Sequence, residues 1–167
     1  MIFRNNCMTD KKDKINENYE NLRKKYDLPK FEDLNNEFEV SSIKQLEKTD
    51  FMLRVIRRRI TDKLAMFCNI LQSLILPNTS SAINMFEIKL FDEDDRTNIE
   101  KILAEMMFWE RKSLLLDIKS EEKEEAEFLK TVWKEWPLFS DEMVKLAEKM
   151  SLGWRKEEKS DKTQYFG

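Results

Sequence analysis

The stretch Phe51–Leu76, FMLRVIRRRITDKLAMFCNILQSLIL, decides the fold, because it is the longest run that is strongly apolar and free of Gly and Pro. At about 100° per residue, Leu53, Ile56, Ile60, Leu64, Phe67, Leu71 and Leu74 fall in one stripe, and Met52, Val55, Met66 and Ile70 widen its flank. An arc this broad predicts a central helix touched from two sides, with the rest of the chain packed against it.

Before this helix, Ile15, Tyr19, Leu22 and Tyr26 repeat at steps of four, three and four, which predicts a first helix from Lys12 that ends at Asp27, Leu28 and Pro29. Phe31, Leu34 and Phe38 mark a short helical turn. Ser42 with Gln45 reads as a capping box opening a helix through Leu46, and Thr49 or Asp50 as the cap of the central helix. After it, Pro77 and the polar run Asn78–Ser81 end one helix and cap a short one through Ile83, Phe86 and Leu90. The acids Asp92, Glu93, Asp94 and Asp95 then suit the positive end of a helix dipole, and they lack the oxygen spacing, turn Gly and twelfth-position Glu of a calcium loop.

The helix from Glu93 to about Ile118 places Ile99, Ile102, Leu103, Met106 and Trp109 towards one side and Phe108 and Leu115 towards another, the pattern of a sandwiched helix. Ser120 is positioned to cap an acidic helix with Ala126, Leu129, Val132, Trp133 and Trp136 on its apolar side. Pro137 is expected to stop that helix, Ser140 to open a last one through Met150, and Gly153 to close it. The resulting expectation is an all-α, single-domain irregular helical bundle of about four main helices plus two or three short ones. It comprises a mobile leader over residues 1–10, a bundle over 11–154 and a flexible polar tail over 155–167.

Composition agrees with that class. The chain of 167 residues is 41% apolar and 38% charged, and its two glycines and three prolines leave little material for tight β turns. The net charge of −3 speaks against a general polyanion binder. The N-terminal residues lack the apolar run of a secretory signal, and no segment reaches the roughly 20 apolar residues of a membrane span, so a cytoplasmic protein is expected. Cys7 and Cys68 form no CxxC pair, and Cys68 reads as an inert, partly buried thiol.

No arrangement for catalysis emerges. The chain contains no His, which removes the commonest general base and metal ligand, and its two glycines cannot build a phosphate-cradling loop. The acids Glu121, Glu122, Glu124, Glu125 and Glu127 read as a solvated helix face. Neither an enzyme nor a cofactor is expected.

The main polar feature is the cluster Arg54, Arg57, Arg58 and Arg59. Taking Leu53 as zero, Arg54 and Arg58 fall on the polar face near 100° and about 140°, whereas Arg57 falls at about 40°, on the margin of the apolar stripe. Glu110 points into the apolar side of the later helix, so Arg57 and Glu110 are the expected buried ion pair. Arg54, Arg58 and Arg59, aided by Lys11, Lys12, Lys14, Arg23, Lys24 and Lys25, are the alternative, a contact surface for phosphate or nucleic acid. Trp133, Trp136 and Phe139 form the densest aromatic patch and, with Trp154, are the candidate anchors for a protein partner. The expected function is a non-enzymatic protein-protein interaction module acting on another protein or on itself, with nucleic-acid binding through the arginines as the alternative. The two are separated by where the arginines point.

Overall fold

The structure, a computed structural model, describes residues 3–43, 46, 51–119 and 121–160, with side chains over 15–43, 46, 51–119 and 121–155. Among these residues the chain is all-helical, with no strand. Helix α1 spans Phe3–Tyr26, α2 Phe31–Phe38, α3 Met52–Ile75, α4 Ala82–Glu87, α5 Glu93–Lys119 and α6 Glu122–Ser160. Short 3-10 turns at Val40–Ser42 and Ile88–Leu90 follow α2 and α4.

The chain divides into two compact units. One comprises Met1–Leu64 with Trp109–Glu135, the other Ala65–Phe108 with Trp136–Gly167. Segments of α3, α5 and α6 pack together in each.

In the first unit, α1 and α2 are joined by a tight reversal. Asp27 takes the left-handed backbone conformation (φ 56°), which lets the Leu28 N–H reach the Arg23 carbonyl at 3.2 Å. The Tyr19 hydroxyl then donates to the Pro29 carbonyl at 2.9 Å, and its ring meets Phe31 at 5.3 Å between centroids. Helix α2 ends in the same way: Glu39 is left-handed and its N–H bonds the Asn35 carbonyl. The buried side chains include Tyr19, Leu34 and Phe38 from α1 and α2, and Leu53, Ile56, Ile60 and Leu64 from α3. Trp109, Leu116, Ala126, Phe128, Leu129 and Val132 join them from α5 and α6. Trp109 meets Phe128 edge-on at 5.5 Å, and its indole N–H donates to Glu135 at 2.5 Å.

In the second unit the core is Cys68, Leu71, Leu74, Phe91, Ile99, Ile102, Met106, Trp136, Phe139, Met143 and Leu146. Phe67 stacks on Trp136 at 5.7 Å. Ser81 caps α4 by accepting from the Asn84 N–H. Helix α5 opens on a reciprocal cap, in which Asp92 Oδ1 accepts the Asp95 N–H at 2.9 Å and Asp95 Oδ2 accepts the Asp92 N–H at 3.0 Å. Lys149 donates to the same Asp95 carboxylate and lies over the Phe91 ring. A hydrogen bond from Lys149, together with the Asp92 backbone, holds the Asp95 carboxyl below its ordinary range against the upward pull of burial.

Several expectations are corrected. Pro137 does not stop a helix: α6 runs for 39 residues through it. Leu129, Val132, Trp136, Phe139, Met143 and Leu146 keep alternating steps of three and four across the proline and are all buried, so packing on both sides outweighs the one lost backbone hydrogen bond. Ser140 therefore opens nothing, and Gly153 lies inside the helix, where a side chain would meet Leu90 at 2.5 Å. Helix α1 begins at Phe3, ahead of the expected start, and α6 carries on past residue 155.

Ser42 belongs to a 3-10 turn, with its hydroxyl donating to the Glu39 carbonyl, and opens no α-helix. Helix α5 is not sandwiched, since Phe108 and Leu115 are exposed, and on α3 the flank residue Met66 is exposed. Gln45, Thr49, Asp50 and Ser120, named above as caps, lie outside the described residues, as do positions 1–2 and 161–167. Side chains of Cys7, Lys11, Lys12 and Lys14 also lie outside them.

Candidate functional site

Arg57 is the largest fully buried side chain in the described chain, at 0% exposure. Its place follows from the angular position at the margin of the α3 stripe, which turns the guanidinium under the core-facing surface. The group is then satisfied on every side. Its Nε donates to Glu125 Oε2 at 2.5 Å, one terminal nitrogen donates to the Ser113 carbonyl at 2.9 Å and to the Ser113 hydroxyl, and the other reaches Asp117 Oδ1 at 2.6 Å. Thr61 donates to Ser113 Oγ at 2.7 Å and extends the network. Buried charges persist when paired and hydrogen-bonded in this way.

Glu110 is not the partner of Arg57. It is half-buried and pairs at 3.3 Å with its neighbour Arg111. The reason is level and size: Ser113, one turn further along α5, is small enough to admit the guanidinium, and the acid comes from α6. Glu125 is buried because it shares a stripe with Leu129, Val132 and Trp136, at steps of four, seven and eleven. The run from Glu121 to Glu127 is thus a solvated face only in part.

The other arginines also find partners within the chain. Arg58, on the surface, reaches Asp117 at 3.0 Å. Arg59 donates to the Phe38 carbonyl at 3.0 Å and pairs with Glu39 at 3.3 Å. Arg54 lies 3.6 Å from Glu125 and stands 4.9 Å over the Phe51 ring. Burial pushes the Asp117 carboxyl up, but hydrogen bonds from Arg57 and Arg58 outweigh that and leave it below the ordinary carboxylate value. Of the basic residues on α1, Arg23 pairs with Glu20 and Lys25 with Glu122.

The aromatic candidates are dispersed. Trp136 and Phe139 are core residues, so they cannot anchor a partner. Trp133 is half-buried with its edge on Phe38 at 6.3 Å. Trp154, 37% exposed, packs on Phe86 at 4.4 Å and donates to Glu87 at 3.1 Å. What the sequence reading missed is on α5: Leu114, Leu115 and Ile118 stand 53%, 52% and 75% exposed, as a stripe about 100° wide. Arg111, Lys112, Asp117 and Lys119 surround it, all exposed.

Among the described residues no group of three or more Cys, Asp or Glu side chains is arranged to hold a metal ion, and no helix is long and apolar enough to cross a membrane. Compared with known protein families, with curated proteins and with solved structures, the chain matches none.

Proposed function

We propose that the chain is a non-enzymatic protein-interaction module of the cytoplasm, serving as adaptor, subunit or self-associating bundle, and that it docks through Leu114, Leu115 and Ile118 of α5. The observation that carries this reading is the exposure of three adjacent large aliphatic side chains on one helix face within a charged rim. Apolar patches of that kind are costly to leave in water and are frequent anchors of partner proteins. Docking the stripe would contribute several kcal/mol of apolar burial.

The state of the arginines supports the same choice. A nucleic-acid surface needs cations free to meet phosphates. Arg54, Arg58 and Arg59, the candidates for such a surface, each stand within 3.6 Å of an acid of their own fold, so they do not form a continuous exposed basic face.

The test is a pair of substitutions, Leu115→Glu and Ile118→Lys, read by sedimentation equilibrium and by capture of a stoichiometric partner after nuclease treatment. Loss of self-association or of the partner, with thermal stability unchanged, is the expected result. Association that survives both substitutions overturns the assignment to α5, and recovery of nucleic acid alone overturns the class.

A further inference from the structure

In the first unit, a cavity of about 130 Å3 lies where α1, the start of α3 and the start of α6 come together. Leu22, Phe51, Met52 and Leu53 supply its apolar wall, and Arg54, Glu122 and Glu125 its polar side. Arg54 Nε is buried and has no hydrogen-bond partner. Glu125 Oε1, at 3.6 Å, is too far to accept from it, and the Glu125 carboxylate is already bonded by Arg57. Glu122 is likewise occupied, by Lys25 at 2.8 Å and the Tyr26 hydroxyl at 2.7 Å.

A buried donor left without an acceptor calls for an explanation, and an apolar hollow with one such donor at its wall has the form of a small-ligand site. Charge decides which ligand. Lys25, Arg54, Arg57 and Arg58 stand against Glu122, Glu125 and Asp117 in this network, which leaves it one positive charge in excess. The space, partly open to solvent beside the exposed Phe51, matches an apolar body of about six carbons, since an enclosed cavity of roughly 150 Å3 holds a benzene ring.

We propose that this cavity binds a small monocarboxylic acid, its six-carbon-sized apolar body seated among Leu22, Met52 and Leu53 and its carboxylate accepting from Arg54. The anion supplies the acceptor that Arg54 Nε lacks and neutralises the excess charge. The site is separate from the α5 stripe and does not depend on its role.

The test follows the methyl resonances of Leu22, Met52 and Leu53 in the full chain at neutral pH while hexanoate, 1-hexanol or hexylamine is added. Saturable shifts with hexanoate, at least about tenfold tighter than with 1-hexanol, are expected from a charge-assisted hydrogen bond. Hexylamine is expected to give none. Arg54→Gln is expected to erase the preference for the acid over the alcohol. Leu22→Trp, which fills the cavity from α1 and leaves Arg54 in place, is expected to abolish the shifts and keeps the test decisive should Arg54→Gln fail to fold. Equal binding of acid and alcohol by the unaltered chain, absence of shifts through millimolar hexanoate, or hexanoate binding undiminished by Leu22→Trp each overturns the proposal.

Discussion

Arg57 holds five hydrogen-bond contacts to three residues from α5 and α6. Truncating it leaves Glu125 buried without its main counter-charge, a change that costs on the order of 3–5 kcal/mol. Arg57→Met is therefore expected to lower the urea midpoint sharply, whereas Glu110→Gln stays within about 0.5 kcal/mol of the unaltered protein. Pairing Arg57→Met with Glu125→Leu removes both charges, and a double-mutant cycle is expected to show coupling between them. Additive effects would mean that the pair does not act as one unit. Acid acts at the same place. Asp117 is held below its ordinary value of 3.8, so its contribution is present above that value and is lost as pH falls through the lower, folded value. Urea titrations stepped downward from pH 4 should lose stability more gently in Asp117→Asn than in the unaltered chain.

At the scale of the helix, α6 is the element in which local rules and tertiary packing conflict. Proline in a helix interior is less favourable than alanine by about 3 kcal/mol, and Pro137 is exposed, so nothing in the core requires its ring. Pro137→Ala is expected to raise the melting temperature, with a gain on the order of 1–3 kcal/mol, partly offset by the freer unfolded chain. If two helices met at this point, the substitution would change little. The reverse case is α5, whose acidic opening was legible. Asp92 and Asp95 cap each other through backbone N–H groups, and Asp92→Ala is expected to cost about 1 kcal/mol by chemical denaturation.

At the scale of the whole molecule, stability and association should be separable. The core side chains of both units are mostly apolar and are buried, while Leu114, Leu115 and Ile118 are exposed. Ile118→Lys is therefore expected to leave the melting temperature unchanged while weakening any partner complex, whereas Ile60→Ala, at a fully buried position, costs about 2–5 kcal/mol. Calorimetry of the two variants checks the contrast. A marked loss of stability in Ile118→Lys would mean that the α5 stripe is covered within the chain.

Sequence by itself determined the class and most of the elements. Steps of three and four in apolar residues need only the helical repeat, so α3, the short α4 and the start of α5 were readable from spacing and caps. It also determined that Arg57 sits at the edge of an apolar stripe. Tertiary structure alone decided which acid answers it, because helical angle says which way a side chain points but not which residue of another helix stands opposite. Glu125 carried a sign, its register with Leu129 and Val132, yet that sign was hidden inside a run of glutamates. The continuity of α6 through Pro137 and the exposure of the α5 stripe were decided in the same way. Each depends on whether a neighbouring helix covers a given face, and coverage is a property of packing that no local spacing contains.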